Sequence, residues 1–188
     1  MIRTLTAEQF IEQRFDMPDS GQWAELVEGV PVFLEPPDLD HGNAILNLSK
    51  AVAAYVQQGV PGYACFDLGL LMGRAPDTIR FPAMCWFATG ERFEESDKDI
   101  TETVPTLVVD MASTPDRRRH VAGRIRHFLE WGVSTVWVID SGEETVEVFE
   151  SLDAPRRFSS DEQLPGEPIL EGFRMPVCDL FVQPAWWA

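Results

Sequence analysis

The sequence predicts an α/β fold with a mixed sheet, on three observations. Runs of β-type residues alternate with stretches of helical period. One run, PTLVVDMAS, is nearly continuous in apolar residues, as a central strand covered on both faces is. Neither an internal repeat nor a linker long enough to divide domains interrupts the series, so residues 1–188 read as a single domain. The size agrees: 188 residues and 21.2 kDa suffice for one domain and hardly for two. With 45% hydrophobic and 11% aromatic residues the chain can bury a core, which excludes wholesale disorder.

Each element has its own signal. Thr6 before AEQFIEQRF reads as a capped helix, with Glu8 and Gln9 near its first turn and Phe10 and Ile11 on its apolar side. MPDSGQ is punctuation, and AELVEG and VPVFLEP are short β-like runs around Gly29, the start of a hairpin. From Asp40 to Gln58 the period changes: Ile45, Leu48, Val52 and Tyr55 recur every three or four residues, the mark of a helix with one buried face. Three β-rich runs follow, GYACFDLGLLMG, TIRFPAMCWFA and PTLVVDMAS. Thr114 then caps a helix with Pro115 in its first turn, which runs to about Trp131 and stops at Gly132. VSTVWVID and TVEVFES form a strand pair across SGEE, and RRFSS, PILEG and a short helix around CDLF complete the order.

Charge and composition narrow the function. Lys and Arg total 15 against 31 Asp and Glu, a formal charge of -16. A field of that sign repels nucleic acid and anionic membrane, so DNA is disfavoured as a partner unless a local basic patch supplies the contact. Cys65, Cys85 and Cys178 form neither a disulfide framework nor a metal-binding pair, which suggests a reducing compartment. With no apolar run long enough for a membrane span and no signal-peptide pattern at the N-terminus, the expected location is the cytoplasm. No phosphate-binding glycine loop and no Ser-His-Asp or Cys-His set is suggested by local context.

The most informative segment is TLVVDMASTPDRRRHVAGRIRHFLEWGVSTVWVID, residues 106–140. Asp110 lies on the apolar strand between Val109 and Met111, where an ionised carboxylate is costly unless paired, hydrogen-bonded or metal-bound. On spacing alone it either caps the following turn or belongs to a site. This segment resembles the restriction endonuclease family of Uma type in the PD-(D/E)XK nuclease superfamily. WAELVEGVPV resembles that family's glutamate-bearing hairpin and places Glu25 on the recurrent glutamate; DLDHGNAILNLSKAV places His41 on the recurrent histidine. FDLGLLMGRAPDTIRFPAMCWFA resembles its paired strands, and FRMPVCDLF its closing segment. The ordered series carries the resemblance, since no single motif is specific. It implies a restriction-endonuclease-like fold, a mixed β-sheet core flanked by helices, and a magnesium-dependent phosphodiester hydrolase.

Carried over residue by residue, the implied site is damaged. The family's Pro-Asp is Pro82-Ala83, so the first metal ligand is a methyl group. Asp110 keeps the acid of the second strand, and the family's Lys aligns with Arg124. The resemblance thus implies Asp110 and Glu25 as remaining metal ligands, with Arg124 and His41 completing the catalytic set and magnesium bound weakly or not at all. Arg124 keeps a positive charge but, with a pKa above about 12, cannot exchange a proton near neutrality. Asp77, six residues before Ala83, is about 20 Å away along an extended strand and cannot replace the lost ligand unless the strand breaks.

Five of the 13 arginines fall between Arg117 and Arg126, either a phosphate-contacting patch or a solvated face. At helical spacing Val121, Ile125, Phe128 and Leu129 form the buried stripe, Arg117 and Arg124 border it, and Arg119 and Arg126 face solvent. The expected role of Arg124 is an ion pair with Asp110 or Glu25. His41 is either a partner to a metal ligand or a solvent-exposed residue near a helix cap; His120 and His127 read as surface. The tail QPAWWA carries two adjacent tryptophans, suited to covering the domain's own core or a second copy in a homodimer. Two functions stay open: a magnesium-dependent DNA endonuclease using Asp110 and Glu25, and a non-catalytic descendant that keeps the fold for binding or assembly.

Overall fold

The computed structural model describes residues 4–185. Helix α1 (Ala7–Gln13) begins at a capping box: the Thr6 hydroxyl accepts from the Gln9 amide while the Gln9 side chain accepts from the Thr6 amide. Two short 3-10 turns lead into the hairpin of β1 (Ala24–Val27) and β2 (Val30–Phe33). Its two-residue turn needs positive φ at both positions, and Glu28 (φ 50°) and Gly29 (φ 77°) supply it. Helix α2 (Leu39–Val56) starts where the Asp38 carboxylate accepts from the His41 amide.

The β-rich middle of the chain holds more strands than runs. GYACFDLGLLMG divides into β3 (Tyr63–Phe66) and β4 (Gly69–Gly73), and TIRFPAMCWFA into β5 (Thr78–Arg80) and β6 (Met84–Phe87). The breaks fall at Asp67, which takes a positive φ of 55°, and around Pro82, which cannot donate to a ladder. Then come β7 (Ile100–Thr101), β8 (Leu107–Met111), α3 (Pro115–Trp131), β9 (Thr135–Asp140), β10 (Thr145–Phe149), β11 (Arg156–Phe158), β12 (Gln163–Pro165), β13 (Arg174–Pro176) and α4 (Val177–Phe181). Thr114 caps α3 and Gly132, at φ 112°, ends it, as the sequence predicts.

The single mixed sheet expected from the sequence is resolved into a larger system. Its main sheet has the order β11-β10-β9-β8-β6-β3, with β8 and β9 parallel and its other neighbours antiparallel. A second sheet, β2-β1-β5-β4-β7, takes one strand from each divided run, and β12 and β13 pair separately. Cys65 and Cys85, distant in sequence, face each other across β3 and β6 as free thiols.

Strand alternation sorts the core. Leu107, Val109 and Met111 of β8 join Trp137 and Ile139 under the α2 face of Ala44, Leu48, Val52 and Tyr55. Val108 and Ala112 point the other way, among Ile125 and Phe128 of α3, Val136, Val138 and Leu70 of β4. Asp110 has the parity of Val108 and Ala112, so its carboxylate is directed to the α3 side of the sheet. No helix among the described residues is long and apolar enough to cross a membrane. Trp186 and Trp187, with the dimer contact expected of them, lie outside the described residues.

Candidate functional site

Three elements converge where the two sheets and α3 meet. Glu25 comes from β1, Asp110 from β8 and Arg124 from the middle of α3. All three are buried, at 1%, 1% and 4% exposure. Arg124 donates from Nε to Asp110 Oδ2 at 2.6 Å and from Nη2 to Asp110 Oδ1 at 3.1 Å, a bidentate fork. Its remaining nitrogen, Nη1, donates to Glu25 Oε2. One guanidinium therefore ties the two carboxylates together, where the sequence suggested a pair with one or the other.

Arg80 of β5 adds a second cation, donating to Glu25 Oε2 at 2.7 Å, and the Phe81 amide donates to Glu25 Oε1 at 3.0 Å. Burial pushes the Glu25 carboxyl up, but the charges and hydrogen bonds of Arg124 and Arg80 outweigh it and hold the group at about 2. Burial likewise works against the charge on Arg124, and the two carboxylates more than reverse it.

The face that α3 buries differs from the apolar stripe read from its spacing. Arg117, Arg124, Ile125 and Phe128 are its buried residues, while Val121 and Leu129 are only partly covered. Pairing to carboxylates lets Arg124 go deeper than its hydropathy implies. The rest of the arginine cluster splits: Arg118 bridges to Asp140 and Arg119 to Asp116, both partly exposed. His120 is a surface residue, as expected, but His127 is half-buried, near enough to Arg80 to feel its charge.

His41 is buried, which removes the solvent-exposed alternative. Its Nδ1 lies 2.7 Å from Ser113 Oγ, and its ring meets the edge of Trp23 at 5.9 Å. Burial, then the charge of Arg117, lowers its pKa to about 4 against the opposing pull of Asp110 and Asp38. Asp77 serves elsewhere, accepting from the Ala7 and Ala75 amides. Sequence reasoning missed Arg80, although an arginine inside the strand-like run TIRFPAMCWFA was a usable signal. It also missed Ser113 and Trp23, for which no spacing rule gives notice.

The register of β6 with β8 pairs Met84 with Val109, and continuing it by one residue sets Ala83 opposite Asp110. The family aspartate would project there, beside Asp110. Without it, all four oxygens of Asp110 and Glu25 accept from protein donors. No group of three His, Cys, Asp or Glu among the described residues is placed to hold a metal ion. As they stand these residues do not fit a divalent cation: it would have to displace a bidentate guanidinium, with too few carboxylates to take its place.

Carboxylates brought from a hairpin and a buried strand to one helix, at the junction of mixed sheets, define a restriction-endonuclease-like α/β fold. The solved structure of a "putative nuclease belonging to DUF820" from Anabaena variabilis superposes with a TM-score of 0.75, at 20% identity, over 94% of this chain and 97% of that one. A family model described as "Uma2: Putative restriction endonuclease" matches residues 8–178, and the chain belongs to that family. No curated protein matches it. Restriction-endonuclease-like families typically use divalent metals, whereas in this chain Arg124 engages both carboxylates.

Proposed function

We propose that this protein is a catalytically silent, single-domain member of the Uma2 family, in which Arg124 takes over the charge-balancing role of the metal. The observation that carries this reading is the double engagement of Arg124 with Asp110 and Glu25. A divalent ion and an arginine solve the same electrostatic problem, two buried carboxylates, but only the ion also offers open positions for water and a phosphodiester. The fold is then kept for binding rather than cutting.

A second reading, a magnesium-dependent endonuclease, draws support from the assembly of Glu25 and Asp110 at one point with His41 nearby. In it Asp110 and Glu25 are metal ligands, and Arg124 and His41 assist. Calorimetric titration with magnesium and with manganese separates the two. The expected result is no metal binding by the wild type and binding by the double variant Ala83→Asp with Arg124→Lys, which restores a carboxylate and frees Asp110 from the fork. Wild-type binding that disappears in Asp110→Ala, together with plasmid cleavage, would establish the nuclease reading instead.

A further inference from the structure

Beside the Arg124 cluster lies a cavity of about 230 Å³. Trp23, Phe66, Phe81 and Ala83 supply much of its apolar lining, and Arg117 is the one cation among its lining residues. We propose that this cavity binds a compact organic carboxylate, its anion on the Arg117 guanidinium and its apolar body against Trp23, Phe66 and Phe81.

The charge inventory points to an anion. Arg117 is only 5% exposed, yet it makes no ion pair among the described residues, and its Nε has no hydrogen-bond partner there. The acids near it are committed. Both Asp110 oxygens accept from Arg124, Glu25 is held by Arg124 and Arg80, and Asp116 pairs with Arg119. Asp67, on the cavity wall, has Arg14 as its opposing charge. Around this cluster three guanidinium groups, the buried Arg117 and Arg124 and the partly exposed Arg80, thus face two buried carboxylates, Glu25 and Asp110. Burial weakens the hold of Arg117 on its proton, as expected of a cation taken from water without a counter-charge of its own. A carboxylate on its planar fork would satisfy both the charge and the orphaned donor.

The cavity's size and walls choose among anions. Its volume falls below the roughly 300–1,000 Å³ of pockets for drug-sized ligands, so the occupant is small. A monoanion matches one surplus positive charge; a phosphate dianion would exceed it and would face Glu25 and Asp67 on the same walls. Nucleic acid fits least, since the chain carries a formal charge of -16 and the neighbouring Arg118 and Arg119 are already paired. The aromatic rings favour a flat or branched apolar body.

This inference rests on the Arg124 cluster being closed to metal, as proposed above. The test is calorimetric titration of the full chain with benzoate in the presence of EDTA. Benzamide, inorganic phosphate and a short thymidine oligonucleotide run in parallel. The expected result is one benzoate per chain, with benzamide weaker by at least about tenfold because it lacks the charge. Arg117→Gln should weaken benzoate by a similar factor, and Ala83→Leu, which fills the cavity while leaving Arg117, should abolish binding. Absent benzoate binding, equal binding of benzamide, or unchanged binding in Ala83→Leu would overturn the proposal. So would phosphate or the oligonucleotide binding as tightly as benzoate. Because EDTA removes metal from this experiment, its failure is distinct from that of the silent-site reading, which falls only if the wild type binds magnesium or manganese.

Discussion

Replacing Arg124 with alanine should destabilise the protein by about 3–5 kcal/mol, the cost of leaving buried charges without their partner. Asp110 loses both of its donors at once, and Glu25 keeps only Arg80 and the Phe81 amide. Both carboxylates sit at 1% exposure and cannot turn to water. In a domain whose whole stability is about 5–15 kcal/mol, such a loss moves the urea midpoint far or prevents folding. Arg124→Lys should cost less, since the charge stays, but it cannot reproduce the bidentate fork together with the third hydrogen bond. The decisive comparison is the double variant Arg124→Met, Asp110→Asn. It removes the same three Arg124 hydrogen bonds as Arg124→Ala and yet should be more stable, because position 110 no longer carries a charge and Glu25 keeps its pair with Arg80. If Arg124→Ala instead lies within about 1 kcal/mol of the parent in urea unfolding, the cluster is solvated and contributes little.

Stability should fall in two stages as the solution is acidified. His41 is held neutral in the folded state, with its pKa lowered from 6.5 to about 4 by burial and by Arg117. Below pH 6.5 the unfolded chain therefore takes up a proton that the folded chain refuses, and by linkage stability declines as pH falls toward 4. At about 1.4 kcal/mol per pKa unit the effect of His41 is on the order of 3 kcal/mol. His127, half-buried and also lowered, acts in the same direction. Glu25 governs the second stage: its pKa drops from 4.5 to about 2, so its contribution is complete above 4.5 and is lost as pH falls through 2. Urea midpoints measured from pH 7.5 to 4 should slope downward in the wild type and more shallowly in His41→Asn. His127→Asn should remove a smaller part of the slope. An unchanged profile in His41→Asn would mean that the ring takes its proton in the folded state as readily as in the unfolded one.

Much of the fold was legible because the signals are local. The capping box at Thr6, the buried face of α2, the Thr114 cap and the Gly132 stop of α3 each depend on a few neighbouring residues. The division of the middle runs between two sheets was not legible in this way. Periodicity in GYACFDLGLLMG and TIRFPAMCWFA shows extended chain but carries no information about which edge each half joins. The site divides along the same line. Asp110 stood out as a charge on an apolar strand, and Glu25, His41 and Arg124 through the family resemblance. Arg80 and Trp23 gained meaning only when β5 and the β1 hairpin were placed beside α3.

By itself, then, the sequence determined the elements, their order and the chemical types on offer: two acids in apolar strands, an arginine in place of lysine and an alanine in place of aspartate. These follow from side-chain identity and short-range backbone preference. Only the tertiary structure decided that one arginine closes on both acids while another is buried with no ion pair among the described residues. Those outcomes depend on distances of a few ångströms between residues 99 and 14 positions apart in the chain. Electrostatic energy in a buried site is set by those distances and by the exclusion of water, and neither is written in any local pattern.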